Sequence, residues 1–416
     1  MKCIVLAGGF PQIALIKEIK SRGIDTICVD YNENPVAKKY ADKYYQESTL
    51  NTDKIKEIAI KEKVDFIITA CTDQALLTMA KVSEELGLPC YIDYQTALNV
   101  TNKQYMKNVF MKNDIPTAKF VITDELKENV ISSFKYPIIT KPVDCNSSKG
   151  VKKSNNYEEL CTYFSEAKAL SRTSTAIVEE FISGEELSID VYVENGKVRI
   201  LSISASQKIT SDEKFVIWNS QYPLNVSQKL FVKIEKAIQR IADSFKLINS
   251  PMLVQLLTDG ENINIIEFSA RTGGAVKYLL VKRCSGFDVI KAVVDLTLNK
   301  KPHCDELVCE CKYGINAFIY CYPGEFDHLE GFEELADEGV LTDYYLFKNK
   351  GAIFDSIKNS GDRIAGITIQ SNDYNDFLNK YQEANSKLKV IDTKGNDIMR
   401  HDIFASYRRI KVDTND

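Results

Sequence analysis

Three stretches of the chain concentrate side chains that could act on a phosphate. In TKPVDCNSSKGV a strand ends on Lys141, Pro142 breaks it, and a loop of small polar residues runs through Ser147 and Ser148 to Gly150. Backbone N–H groups and short hydroxyls in such a loop can wrap phosphate oxygens, and a lysine at the strand end adds a point charge. The spacing is not the GxxxxGK[ST] of a P-loop, and a polar surface turn would read the same way. In AIVEEFISGEELSID an apolar strand ends in Glu179 and Glu180 and turns at Ser183-Gly184. An extended segment leaving a sheet offers a carbonyl and an N–H to a nucleobase edge, and a carboxylate accepts from ribose hydroxyls. An acidic hairpin facing water is the plainer alternative.

The third stretch, VQLLTDGENINIIEFSARTGG, reads as two strands joined at Asp259-Gly260. Glu267, Ser269 and Arg271 are two apart and so share a face, and a short hairpin loop places Gln255 beside Glu267. Oxygen ligands on adjacent strands next to an arginine suit Mg2+ bridging phosphates, an ion that keeps waters and takes only one or two carboxylates. Thr272-Gly273-Gly274 then lets backbone approach a ligand.

Two other clusters invite different chemistry. Gly8-Gly9-Phe10 follows a strand and opens a helix, and Asp30 ends the second strand at the spacing of a dinucleotide site, which would make the protein a nicotinamide-dependent oxidoreductase. The fingerprint GxGxxG is broken, however, because GGFPQI puts Gln12 and Ile13 where the third glycine belongs. His303, Cys304, Cys309 and Cys311 fit no zinc spacing, and Cys309 and Cys311 alternate as buried residues of a strand do.

The elements that must position these groups follow from periodicity. Over the first hundred residues CIVLAGG, DTICVD, VDFIITA and PCYID alternate with amphipathic stretches, which predicts crossover units on a parallel sheet and a doubly wound domain over residues 1–97. From Asn99 the helix NKQYMKNVFMKND closes before Ile115-Pro116, and hairpin strands take over, with long helices at SQKLFVKIEKAIQRIADSF and GFDVIKAVVDLTLNK. This gives an α+β block over 98–300, with a smaller lid at about 131–205. Residues 301–416 read as a mainly antiparallel C-terminal domain.

Composition bounds the class. At roughly 100 to 200 residues per domain, 416 residues fit two to four domains. With 53 basic and 58 acidic side chains and a formal net charge of -5, the chain reads as an ordinary globular protein and not as a nucleic-acid binder. Eleven cysteines without a CxxC pair point to reduced thiols. No apolar run approaches the roughly 18 residues of a membrane span. A cytoplasmic enzyme without membrane or nucleic-acid partners is expected, with a homodimer as the default assembly.

Order and spacing together carry a resemblance. Lys103 on a helix, Lys141 before the small-residue loop, Glu179-Glu180 at a strand exit, Glu186 after a turn, then Gln255, Glu267 and Arg271 resemble the ATP-grasp superfamily, carboxylate-amine ligase type. Biotin carboxylase, carbamoyl-phosphate synthetase and the L-amino-acid ligases belong to it. The resemblance covers the whole chain and implies an ATP-grasp fold, α/β and α+β, behind a pre-ATP-grasp domain. It implies that Lys103 and Lys141 contact ATP phosphates under a loop containing Ser147, Ser148 and Gly150. Glu179, Glu180 and Ile182 would line the adenine site and Glu186 would hold the ribose. Gln255, Glu267 and Ser269 would ligate Mg2+ or Mn2+, and Arg271, with Lys208 as a weaker candidate, would stabilise the transferred phosphoryl group or the substrate carboxylate. Many members have a carboxylate at Gln255 and an asparagine at Ser269, so a catalytically weak ATP-binding protein stands as an alternative. The implied reaction joins a small carboxylic acid to an amine or thiol through an acyl phosphate, releasing ADP and phosphate.

Overall fold

The computed structural model describes residues 1–145, 149–209 and 215–412. The chain opens with β1 (Lys2–Leu6), α1 (Phe10–Ser21), β2 (Asp25–Asp30), β3 (Lys43–Gln46), α2 (Thr52–Glu62), β4 (Phe66–Ile68) and α3 (Asp73–Leu86). The four strands form a sheet in the order β3-β2-β1-β4 with parallel pairings. Continuous apolar runs such as Cys3 to Leu6 are fully buried, as a sheet covered by helices on both faces requires. PCYID is not a strand: Asp93 ends it by capping α4 (Tyr94–Thr101), accepting from Thr96 N at 2.8 Å. The fourth strand is instead β3, whose half-exposed Lys-Tyr-Tyr-Gln lacks the apolar run that marks the others.

Beyond α5 (Lys103–Lys112), capped by Asn102, a small antiparallel sheet is built from β5 (Phe120–Thr123), β6 (Ile138–Pro142), β7 (Lys152–Ser154) and β8 (Ala176–Glu180). Its order is β5-β8-β6-β7, and α6 (Glu128–Ile131) and α7 (Tyr157–Leu170) accompany it. Phe134, Ile138, Leu160, Phe164 and Val178 give it a core of its own.

The remaining strands and helices are β9 (Glu185–Glu194), β10 (Lys197–Lys208), β11 (Ile217–Tyr222), α8 (Gln228–Ser244), β12 (Ser250–Thr258), β13 (Ile263–Ser269), α9 (Lys277–Ser285), α10 (Val289–Thr297), β14 (Tyr313–Ile319), β15 (Gly324–Glu330), α11 (Phe332–Asp337), β16 (Asp343–Leu346), β17 (Ile353–Phe354), β18 (Ala365–Ser371), α12 (Tyr374–Lys387), β19 (Lys389–Asp392) and α13 (His401–Ala405). Eight of the strands form one sheet in the order β13-β12-β9-β10-β11-β14-β18-β16, and β17-β15-β19 form a small one. Asn195 and Gly196, with φ of 50° and 80°, make the tight β9–β10 turn. Leu230, Ile234, Ile238 and Ile241 of α8 recur at helical spacing and are buried; each is worth about 1.5–3 kcal/mol.

Sheet membership redraws the expected boundaries. β9 and β10, expected in a lid ending near 205, belong to the central sheet, so the small sheet ends at Glu180. The expected break at 300 likewise falls inside a sheet, because β14, β16 and β18 extend it past residue 301. Strand pairing over such distances is invisible to local periodicity. The first domain is not closed either, since Cys3, Val5 and Leu15 share one buried cluster with Tyr192, Phe287 and Val293.

Gly184 joins the small sheet to the central one. Its φ is +146°, and a Cβ there would lie 2.4 Å from the Thr258 carbonyl oxygen. Because that neighbour is backbone and the φ excludes most side chains, Gly184→Ala should destabilise by about 1–3 kcal/mol. An unchanged urea midpoint would refute this reading of the junction.

Candidate functional site

A cavity of about 880 Å3 lies between the small sheet and the central sheet. Alternate residues form its floor: Glu186 and Ser188 of β9, Ser206 and Lys208 of β10, and Leu253, Gln255 and Leu257 of β12. Period two along each strand turns these side chains to one face. Lys141, Glu179, Glu180, Phe181 and Ile182 come from the small sheet, Lys103 and Lys107 from α5, and Asp73 from α3.

At one end, buried lysines are held by carboxylates. Glu179 Oε1 accepts from Lys141 Nζ at 2.6 Å, and its Oε2 lies 3.1 Å from Lys107 Nζ. Lys107 also donates to Thr117 Oγ1 at 2.7 Å. Burial alone would push the Glu179 carboxyl up, but the Lys141 and Lys107 charges outweigh it and hold it at about 2. Lys107 is lowered, because the loss of water outweighs the pull of Glu179 on an ammonium that also faces Lys141.

Lys103 Nζ donates to the Cys145 carbonyl at 2.6 Å and sits 3.2 Å from Glu267 Oε2. Burial raises the Glu267 carboxyl, yet Lys103 and Lys141 together bring it below the ordinary range, so it is ionised. Gln255 and Glu267 are register partners across the β12–β13 pair. Gln255 Nε2 donates to Glu186 Oε1 at 3.0 Å, and Lys208 Nζ lies 2.6 Å from Glu186 Oε2. With its nitrogen so engaged, the Gln255 amide turns its oxygen elsewhere, and an ionised carboxylate stands beside it. That donor pair fits a hard divalent cation that draws its other ligands from phosphate and water. Among the described residues no three His, Cys, Asp or Glu side chains group to hold a metal by themselves.

Arg271 lies beyond β13, where Asp73 grips it: Nε donates to Oδ1 at 2.7 Å and Nη2 to Oδ2. Burial pushes the Asp73 carboxyl up, and the Arg271 charge more than reverses this, leaving it lowered. Lys277 donates to Ser204 Oγ and lies 4.0 Å from Asp190 Oδ2. There burial wins on both sides, since the Asp190 carboxyl is raised and the Lys277 ammonium lowered.

Most candidates from the sequence therefore meet in one cavity. Glu179, expected to line an adenine site, turns its carboxylate to two lysines and lies in the cavity wall. Glu186 is committed to Gln255 and Lys208. Glu180 accepts from Lys135 N at 3.3 Å while remaining in the wall with Ile182. Ser269 does not line the cavity and instead donates its hydroxyl proton to Asp73, so Arg271 and Ser269 share one acid. Gly150, with φ +75°, packs where a Cβ would lie 2.9 Å from Pro142, while Lys149 and Val151 face the cavity. Ser147 and Ser148 lie outside the described residues. Gly273 makes room for the Lys277 side chain, 2.8 Å from where a Cβ would stand, and it is Gly274 that lines the cavity.

Lys107, Asp73 and Lys277 escaped the sequence reading. Lys107 had a signal, being four residues from Lys103 on one helix face. Asp73 had none, because its partner is 198 residues away.

The other clusters do not make sites. Asp30 spends its carboxylate on Gly8 N at 2.7 Å and Asn32 N at 2.8 Å, which leaves it poorly placed for a ribose. Gln12 is buried and donates to the Ala70 carbonyl at 2.7 Å. Cys309 is exposed and outside any strand, unlike the expected buried alternation, and of that pair Cys311 alone is buried. His303 pairs with Glu194.

Residues 134–278 match the family described as "ATP-grasp domain". The carbamoyl phosphate synthase large chain of Pseudothermotoga lettingae is 24% identical over 301 residues, covering 70% of this chain and 27% of that protein. The chain thus spans about a quarter of the length of that relative. The crystal structure of an L-amino acid ligase from Bacillus licheniformis superposes with a TM-score of 0.78 at 18% identity, covering 94% of this chain and 98% of the other. The biotin carboxylase domain of the Hydrogenobacter thermophilus 2-oxoglutarate carboxylase, solved with MgADP, ADP and bicarbonate, gives 0.77 at 16% identity, covering 96% and 92%. Residues 134–278 form an ATP-grasp domain, and the fold of the whole chain is that of ATP-grasp proteins. No helix among the described residues is long and apolar enough to cross a membrane.

Glu179 gives this site a measurable signature. A carboxyl held near 2, against an ordinary 4.5, stabilises the fold fully above 4.5 and loses that contribution as pH falls towards 2. Glu179→Gln should cost about 3–5 kcal/mol at neutral pH, because two buried ammonium groups lose their counter-charge. It should also flatten the acid limb of a melting-temperature profile. An unchanged melting temperature would mean that water already screens the lysines.

Proposed function

We propose that the protein is an ATP-dependent ligase that activates a small carboxylic acid as an acyl phosphate and passes the acyl group to an amine or thiol, releasing ADP and phosphate. The carrying observation is the set of lysines Lys103, Lys107 and Lys141, held by Glu179 and Glu267 in one cavity of an ATP-grasp domain. The neighbour solved with MgADP and bicarbonate supports nucleotide and metal use in this fold.

The residues divide the work by charge. Lys103 and Lys141 would hold ATP phosphates at the small-sheet end, with Lys107 beneath them reinforcing the positive field. Glu180, Phe181 and Ile182, where the chain leaves β8, would flank the base. Gln255 and Glu267 would hold Mg2+, which when bound neutralises phosphate charge and aligns its oxygens. Arg271, its fork fixed by Asp73, meets the charge that builds on the phosphoryl group as the substrate carboxylate attacks it. The γ-phosphorus to β-bridging-oxygen bond breaks, ADP departs, and the amine then displaces phosphate from the acyl carbon. Such transfer needs positioning and charge more than a titrating base, which accords with a cavity whose wall, among the described residues, holds no histidine.

Lys141→Ala should weaken ATP binding by roughly a hundredfold, the equivalent of a few kcal/mol, in calorimetry. Parental affinity would remove Lys141 from the phosphate site. Glu267→Gln should abolish Mg2+-dependent turnover, whereas Gln255→Ala should retain a remnant at high Mg2+; the opposite ranking overturns the metal assignment. The mechanism itself is read with hydroxylamine in place of the amine, across a panel of amino acids and small acids. A hydroxamate should form with equimolar ADP and phosphate, and 18O should pass from the carboxylate to phosphate. AMP with pyrophosphate, or phosphate without label, would refute it.

A further inference from the structure

The segment after β13 is shaped to bring one lysine into the cavity wall. Gly273 has no side chain where a Cβ would lie 2.8 Å from Lys277 Cγ, and Lys277 N donates to the Gly274 carbonyl at 3.2 Å. The start of α9 therefore packs back onto the glycines and carries Lys277, largely buried, to the cavity. The division of labour argued above gives Lys277 no task.

Strand register fixes where its partners stand. Ser204 of β10, Ser188 of β9, Gln255 of β12 and Glu267 of β13 are successive register partners and make one row across the central sheet. Lys277 Nζ donates to Ser204 Oγ, at the end of the row away from the Gln255 and Glu267 pair. Two strand spacings, roughly 10 Å, separate Ser204 from Gln255. An acyl phosphate whose phosphoryl oxygens meet a metal at Gln255 and Glu267, with an amine nitrogen against its carbonyl carbon, spans such a gap.

The surroundings of Lys277 suit proton transfer. Asp190 Oδ2 lies 4.0 Å from Nζ and accepts from Ser202 Oγ at 3.0 Å. Burial lowers the Lys277 ammonium and outweighs the opposing charge of Asp190, while Cys284 of α9 and Glu186 of β9 oppose it by less. Burial likewise raises the Asp190 carboxyl against the pull of Lys277 and, more weakly, of Arg271. A lysine tuned down in this way can take up a proton nearer neutral pH than an exposed one.

We propose that Lys277 is the proton acceptor for the amine substrate in the second half of the reaction. The proposal rests on the ligase reading with an amine as acyl acceptor. Alkyl amines arrive as ammonium ions and have no free electron pair until one proton leaves. Neutral Lys277 takes that proton, the nitrogen forms its bond to the acyl carbon, and the bond from that carbon to the phosphate oxygen breaks. The second nitrogen proton goes to the departing phosphate, and Lys277 returns its own to solvent.

The test compares hydroxylamine and methoxyamine, free bases at neutral pH, with ammonia, methylamine and glycine, which are mostly ammonium ions there. Each is offered to the full chain with ATP, Mg2+ and an acid from the panel that yields a hydroxamate, and product and ADP are followed. In Lys277→Met and Lys277→Arg the rate on the ammonium-type amines, relative to the free bases, should fall about a hundredfold, as on loss of a positioned base. Raising the pH should close that gap in proportion to the free amine, which a merely structural defect would not allow. Arginine cannot accept the proton, so a parental ratio in Lys277→Arg would make the role one of charge and overturn the proposal. An unchanged ratio in Lys277→Met overturns it too, as does a parent that uses the free bases alone, or loss of ATP-analogue binding by both variants. In a lysine-labelled chain without ligands, the Lys277 13Cε shift should titrate below those of the exposed lysines, and titration among them would refute the base independently of turnover. If no acid gives ADP and hydroxamate with the parent, the ligase reading itself falls, and the proposal with it.

Discussion

The site depends on holding the lysines Lys103, Lys107 and Lys141 beside counter-charges at places in the cavity wall that little water reaches. A buried ammonium without a counter-charge would deprotonate or drag the fold open, and the low dielectric that makes the problem also strengthens its remedy. Glu179 is that remedy, ending β8 between Lys141 of the adjacent strand β6 and Lys107 of α5. The pairing ties a small sheet, a helix and the cavity wall together. A polyanionic ligand arriving at such a place meets cations already desolvated and oriented, so little reorganisation remains to be done on binding.

The central sheet sets the spacing between the side chains on the cavity floor. Its floor passes from Glu267 and Gln255 at the β13 edge, across Glu186 and Lys208, to Phe318 on β14 and Arg363 before β18. The carboxylates of the cavity wall are Asp73, Glu179, Glu180, Glu186 and Glu267, and Phe318, Phe347, Lys348 and Arg363 line it as well. The same eight strands draw on residues from 185 to 371, so a division of the chain at residue 300 cuts through the site's own scaffold. The N-terminal region contributes through Asp73 and Phe10, and its buried cluster runs on into α10. Its glycine loop, which looks like a dinucleotide turn in sequence, packs against Pro35 and Asp30.

Local pattern made much of the fold legible. Strand and helix alternation revealed most of the parallel sheet, and the Asp259-Gly260 turn fixed Gln255 against Glu267 to the residue. Where local pattern was weak, the reading slipped: β3 is too polar and short to stand out, and PCYID resembles a strand but serves as a lead into a helix cap. Cys309 and Cys311 have the spacing of a strand without being one.

The sequence by itself determined which groups could do chemistry, namely two lysines, a row of carboxylates and an arginine at alternating positions, since residue type and period two are local properties. Only the tertiary structure decided their partners. Glu179 became an anchor for lysines and Ser269 was drawn to Asp73, through contacts between residues 38 to 196 positions apart. Coulomb energy depends on distance in space and on the dielectric around each pair, and both come into being when the sheets pack.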